Sequence, residues 1–125
     1  MTQSLEDYLE MVSFLADEGG GEVRLTDVAS RLGVSKPSVF TALKILEEQG
    51  LLEHERYRTI SLTQKGMIEA AEIRDRHSFL TAFLRTIVGV SPDIAEKDAC
   101  KMEHLLSKET LQKIKALVQK KEITP

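Results

Sequence analysis

Three side chains with metal-binding chemistry crowd into one short stretch, Cys100-Lys-Met-Glu103-His104. Spacings of three and four put a thiolate, a carboxylate and an imidazole on one helix face, beside an apolar stripe of Ala95, Ala99, Met102 and Leu106. Such a trio is a set of transition-metal ligands rather than a hydrophobic cluster. His77 lies four residues after Ile73 and three before Leu80, so it shares the inward stripe of another helix. Asp7 and Glu10, three apart, share a face of a further helix, where a divalent cation would offset the cost of burying both acids. Taken singly, each residue has a plainer role. Asp7 completes a capping box with Ser4, Glu10 is a solvated acid, His77 a hydrogen-bonded core histidine, and Cys100 a small buried apolar group. It is the combination that points to metal.

A second constellation runs from Leu25 to Leu46. Val28, Ala29 and Leu32 suit the buried side of a supporting helix, Gly33 reverses the chain, and Val39, Leu43 and Leu46 form the buried stripe of the next helix. The opposite side offers Ser35, Lys36, Pro37, Ser38, Thr41 and Lys44, groups suited to a phosphate-lined major groove. Hydroxyls and the helix N-terminus would take phosphate oxygens, with Ser38 or Thr41 reaching base edges. Leu51–Glu55 and Thr59–Leu62 then flank Arg56-Tyr57-Arg58, a β-hairpin with a basic tip. Helix, turn, helix and basic hairpin together predict a winged helix-turn-helix for double-stranded DNA. A helical hairpin with solvated lysines is the plainer alternative, and the hairpin tip argues against it.

The elements that must position these groups follow from caps and periodicity. Ser4 caps a first helix with Leu5, Tyr8, Leu9 and Val12 on one stripe, ending at Gly19-Gly20-Gly21; Thr26 caps a second. A third covers Lys36 to about Gln49, stopped by Gly50. Thr63 caps a long helix continuing to Gly89, Ser91-Pro92 starts one reaching about Leu106, and a last helix covers Lys108–Lys121. The expected fold class is mostly α.

Composition narrows the function. The 125 residues are 42% hydrophobic and 30% charged, ordinary for a globular protein, with no apolar run long enough to span a bilayer. The acidic N-terminus does not read as a signal peptide, and a single cysteine suits a reducing compartment, so a cytoplasmic location is expected. A net charge of −3 does not itself advertise a nucleic-acid binder. Six acids and no Lys or Arg fall in residues 1–23, whereas no acid lies between Arg31 and Leu46. So few bases per chain imply a dimer that doubles the phosphate contacts. No phosphate-binding glycine loop and no activated nucleophile pair is present, so an enzyme is not expected.

Leu5-Glu-Asp-Tyr-Leu-Glu10, Leu62-Thr-Gln-Lys-Gly66, Arg76-His77, Phe83-Leu-Arg85 and Cys100-Lys-Met-Glu-His-Leu-Leu-Ser107 occur in the order of motifs in a known family. From Leu5 to Val118 the chain resembles the metal-dependent repressors that include the diphtheria toxin repressor and the manganese transport regulator. The resemblance implies a winged-helix DNA-binding domain over residues 1–63 and a helical metal-binding and dimerisation domain over 64–125. It implies Asp7, Glu10, His77, Cys100, Glu103 and His104 as ligands between the two, and as partners an operator DNA and a second copy of the chain. Asp7 and Glu10 resemble the manganese branch and Cys100 the iron branch. Glu96 and Thr81 stand where the iron branch has the His and Glu of its second site, and the chain stops before that branch's SH3-like domain. With one sulfur among nitrogen and oxygen donors, Mn²⁺ is favoured over Fe²⁺, two ions per chain are expected, and Zn²⁺ or Co²⁺ would activate in vitro. The implied function is metal-activated repression of metal-uptake genes, without an organic cofactor or a membrane partner. The alternative is a winged-helix regulator whose DNA binding does not depend on metal.

Overall fold

The computed structural model of the chain describes residues 3–54 and 59–123. The elements are α1 Gln3–Gly19, β1 Val23–Arg24, α2 Leu25–Leu32, α3 Lys36–Glu48, β2 Leu52–His54, β3 Thr59–Leu62, α4 Gln64–Phe83, a π-helical turn Leu84–Val88, α5 Pro92–Met102 and α6 Lys108–Ile123. They form two compact units, Met1–Glu72 and Ile73–Pro125, divided within α4. No helix among the described residues is long and apolar enough to cross a membrane.

In the first unit the apolar stripes meet as their periodicity requires. Leu9 and Val12 of α1, Val28 and Ala29 of α2, and Val39, Leu43 and Leu46 of α3 are buried, and the three helices pack on one another. An antiparallel sheet of order β1-β3-β2 adds buried Val23, Ile60 and Leu52 to this core. Val23 stands opposite Ile60, and Leu52 opposite Leu62. The hairpin is the one expected, whereas β1 has only two residues and carries no alternation to betray it.

β1 also displaces a cap. It runs straight into α2 with Arg24 extended at the N-cap and no side-chain bond there, so Thr26 lies within the first turn instead of capping it. Likewise α1 begins at Gln3, which puts Ser4 inside the helix and removes the capping-box role for Asp7. The cap of α3 is Ser35, whose Oγ accepts from the Ser38 amide at 3.3 Å, with Pro37 in the first turn. Thr63 acts as expected. Its Oγ1 accepts from the Gly66 amide at 3.0 Å and donates to the Gly50 carbonyl at 2.6 Å, tying the end of α3 to the start of α4.

The core of the second unit joins Phe79, Leu80, Leu84, Ala95, Ala99, Leu111 and Ile114. The long helix reaches Gly89 as expected but loosens at Leu84 into a π turn, in which the Gly89 amide bonds the Leu84 carbonyl at 2.8 Å. The Lys121 ammonium donates to the Thr86 carbonyl in that turn at 2.6 Å. Ser91 caps α5, accepting from the Ile94 amide at 3.4 Å. This helix ends at Met102 rather than near Leu106. The Leu105 and Leu106 amides both turn back to the Met102 carbonyl, and Ser107 then caps α6.

Gly66 is buried where α4 begins, and a Cβ there would collide with the Leu51 backbone carbonyl, which cannot swing aside. Gly66→Ala should therefore destabilise the first unit by about 2–3 kcal/mol, at the upper end for an overpacked site. Urea unfolding followed by circular dichroism checks this, and an unchanged midpoint would contradict it.

Candidate metal centre and nucleic-acid interface

Two alanines let the metal-binding side chains converge. Ala95 and Ala99 form the fully buried stripe of α5 against Leu80 and Leu84, and their small size permits close approach to the long helix. Glu96 and Cys100, each one residue further along α5, are thereby carried to His77 of α4. His77 Nε2 lies 2.8 Å from Glu96 Oε1, and its Nδ1 lies 3.1 Å from Glu103 Oε2 and 3.8 Å from Cys100 Sγ. The other Glu103 oxygen, Oε1, is 3.1 Å from His104 Nε2. Glu103 and His104 expose only 3% and 2% of their side chains, while Glu96 and Cys100 face solvent.

This donor set fits a divalent cation. A neutral imidazole donates from one nitrogen only, so two ionised carboxylates on His77 are both satisfied only by imidazolium. The arrangement calls for positive charge at its centre. One ligand atom each from His77, Glu96 and Cys100 lie within 4.8 Å of one another, so a small approach of these side chains would let them share an ion bonded at about 2.0–2.3 Å.

Of the six residues the sequence singles out for metal, the second unit brings together His77, Cys100, Glu103 and His104. It adds Glu96, which stood outside that set as a departure from the iron branch. Its signal in the sequence is the four-residue step to Cys100 on one helix face. Asp7 and Glu10 both lie on α1 of the first unit, three apart as read.

Ser35, Lys36, Pro37, Ser38, Thr41 and Lys44 are all exposed, at the start and along the outward side of α3. Several hydroxyls already have local partners. Ser35 Oγ lies 2.8 Å from Ser38 Oγ, and Thr41 Oγ1 donates to the Pro37 carbonyl at 3.0 Å. Arg56, Tyr57 and Arg58 lie outside the described residues, between β2 and β3.

Two family models cover nearly the whole chain. The iron-dependent repressor N-terminal DNA-binding domain matches residues 1–60, and the iron-dependent repressor metal-binding and dimerisation domain matches residues 63–125. The chain belongs to the iron-dependent repressor family. It is therefore a metal-dependent DNA-binding repressor by family, and not an enzyme. It is 45% identical over 116 residues to the transcriptional regulator MntR of Escherichia coli O157:H7, covering 93% of this chain and 74% of that one. An uncharacterized HTH-type transcriptional regulator of Methanocaldococcus jannaschii is 36% identical over 120 residues, 96% of each chain. Among solved structures, a manganese-dependent transcriptional repressor in complex with manganese superposes with a TM-score of 0.79 at 29% identity, covering 92% of this chain and 52% of that one. The chain thus spans about half the length of that repressor.

A thiolate ligand at Cys100 would shift metal preference towards softer ions. Cys100→Ser replaces a soft donor with a hard, weak one, so it should lower Co²⁺ affinity about ten-fold or more and Mn²⁺ affinity much less. Competition titrations measure both, and Co²⁺-loaded wild type should show a near-ultraviolet thiolate charge-transfer band that the variant lacks. Unchanged affinity for both metals, with no thiolate band in the Co²⁺-loaded wild type, would exclude Cys100 as a ligand.

Proposed function

We propose that this chain is a cytoplasmic, homodimeric repressor of metal-uptake genes that binds its operator when Mn²⁺, or secondarily Fe²⁺, is sufficient. The observation that carries this reading is the buried Glu103 carboxylate with an imidazole on each oxygen, beside a thiol and a second carboxylate. The proposed ligands are His77, Cys100, Glu103 and His104, with Glu96 added to them. Asp7 and Glu10 of α1 complete the set, on the strength of their spacing and of the family motif. Two ions per chain is the proposed stoichiometry, and Zn²⁺ or Co²⁺ would substitute in vitro. Nitrogen and oxygen donors outnumber the one sulfur, which supports manganese over softer metals.

Bound metal supplies positive charge to an acid-rich set of side chains. The chain's own groups do the rest. His77 would hold the ion through a ring nitrogen, between the carboxylates of Glu96 and Glu103 that it now hydrogen-bonds. Asp7 and Glu10 restrain α1, and α2 and α3 are packed on α1, so the restraint reaches the DNA-reading helix. Ser35, Lys36, Pro37, Ser38, Thr41 and Lys44 contact the major groove, and Arg56, Tyr57 and Arg58 the adjoining backbone. In this division residues 1–63 read DNA, while 64–125 bind metal and dimerise.

Two linked measurements test the proposal. Anaerobic calorimetry of reduced, metal-stripped protein should saturate near two Mn²⁺ per chain, with Asp7→Ala lowering stoichiometry or affinity. Duplexes selected from a random pool should then bind about ten-fold or more tightly with saturating Mn²⁺ at fixed ionic strength, within the usual range of coupling between sites. DNA affinity indifferent to metal would support the metal-independent regulator instead.

A further inference from the structure

Two large apolar side chains of α3, Phe40 and Ile45, are exposed, and Phe40 is the more so. Phe40 is 52% exposed, although the buried stripe of this helix is already complete in Val39, Leu43 and Leu46. Lys36 and Lys44 stand one turn to either side of it, both exposed. With Leu25 and Pro37 the phenyl ring lines the apolar part of a cleft of about 610 Å³, and Arg24, Lys36 and Thr41 line its polar part.

The nearby hydroxyls limit what else can read bases here. Ser35 and Ser38 are bonded to each other at the helix N-terminus, and Thr41 donates back to the Pro37 carbonyl. The lysines are point charges suited to phosphate, which positions a protein without reading sequence. The contact area left to discriminate bases is therefore largely apolar. In the major groove, thymine alone presents an apolar group, its C5-methyl. A ring flanked by cations also fits a groove bordered by phosphates, which separates this patch from an ordinary protein-binding surface.

We propose that Phe40 is a specificity-determining residue of α3 that contacts a thymine C5-methyl in the major groove. This rests on the DNA-reading function proposed above and extends it to a residue that the sequence reading did not include.

The test uses full-length Mn²⁺-loaded protein and duplexes selected from a random pool by wild type. Single thymidines in the selected duplex are then replaced by deoxyuridine, which removes only the methyl. At one position per half-site, wild type should lose about four-fold in affinity per methyl, the worth of one buried carbon. F40A should bind the thymine duplex more weakly and show no difference between thymine and uracil at that position. F40L, which keeps an apolar side chain on a well-formed helix, should retain part of the difference and so controls for folding. Wild type indifferent to every replacement, or F40A keeping the wild-type ratio, would overturn the proposal. Failure of wild type to enrich any duplex would overturn the DNA-reading function, and this inference with it.

Discussion

The second unit is organised around a carboxylate almost entirely removed from water. A lone buried carboxylate costs on the order of several kcal/mol, and Glu103 avoids that cost through the imidazoles of His77 and His104 on its two oxygens. Much of the surrounding architecture serves to bring these groups together. Ser91 and Pro92 set where α5 starts and hence the phase in which Ala95 and Ala99 turn inward. The same phase places Glu96 and Cys100 beside His77. The end of α5 at Met102 matters as well, because Glu103 and His104 then belong to a turn whose amides fold back on the helix. A continuous helix through Leu106 would hold Cys100, Glu103 and His104 on one straight face, whereas the turn lets Glu103 meet an imidazole on each side.

The first unit solves a different problem, presenting a DNA-reading helix with few cations. Its helical side chains divide the work. Ser35 and Ser38 stabilise the start of α3, Lys36 and Lys44 supply charge, and the glutamates Glu47 and Glu48 are kept to its far end. Glu47 is itself engaged, with His54 Nδ1 2.9 Å from its Oε2. Arg31 is likewise engaged, ion-paired to Glu18 and lying over the Phe14 ring, and so braces α2 against α1. Positive groups near the reading helix are thus divided between structure and contact.

Long periodic segments were legible in the sequence and short ones were not. The stripes of α1, α2 and α3, the hairpin, the Thr63 cap and the Ser91-Pro92 start all follow from spacing and cap chemistry. β1 was invisible because two residues carry no period, and missing it moved the cap of α2 from Arg24 to Thr26. The π turn was invisible because Leu84 to Val88 keeps an apolar pattern compatible with either helix. At the metal centre, Cys100, Glu103, His104 and His77 could be picked out because imidazole and thiol are rare and their steps were helical. Glu96 escaped because a glutamate on an exposed helix surface is ordinary, and only the packing of Ala95 and Ala99 gives it a partner. Phe40 escaped for the converse reason: a phenylalanine reads as core until its exposure is known.

The charge balance also bears on how metal can act through so acidic a chain. Two divalent ions would move the net charge from −3 towards positive values, less the protons displaced, which reduces repulsion by phosphate. That contribution is general and screened over about 8 Å at physiological ionic strength. It favours any DNA equally. Restraint of α1 is different in kind, because α1 packs on α2 and α3 and so limits where the reading helix can go. In a dimer, two such helices must match half-sites about one turn of DNA apart, and only ordering improves that match. With Lys36 and Lys44 the only lysines on α3, each copy has little non-specific attraction with which to tolerate poor register. On the function proposed above, alignment of the reading helix through α1 would therefore matter more than charge.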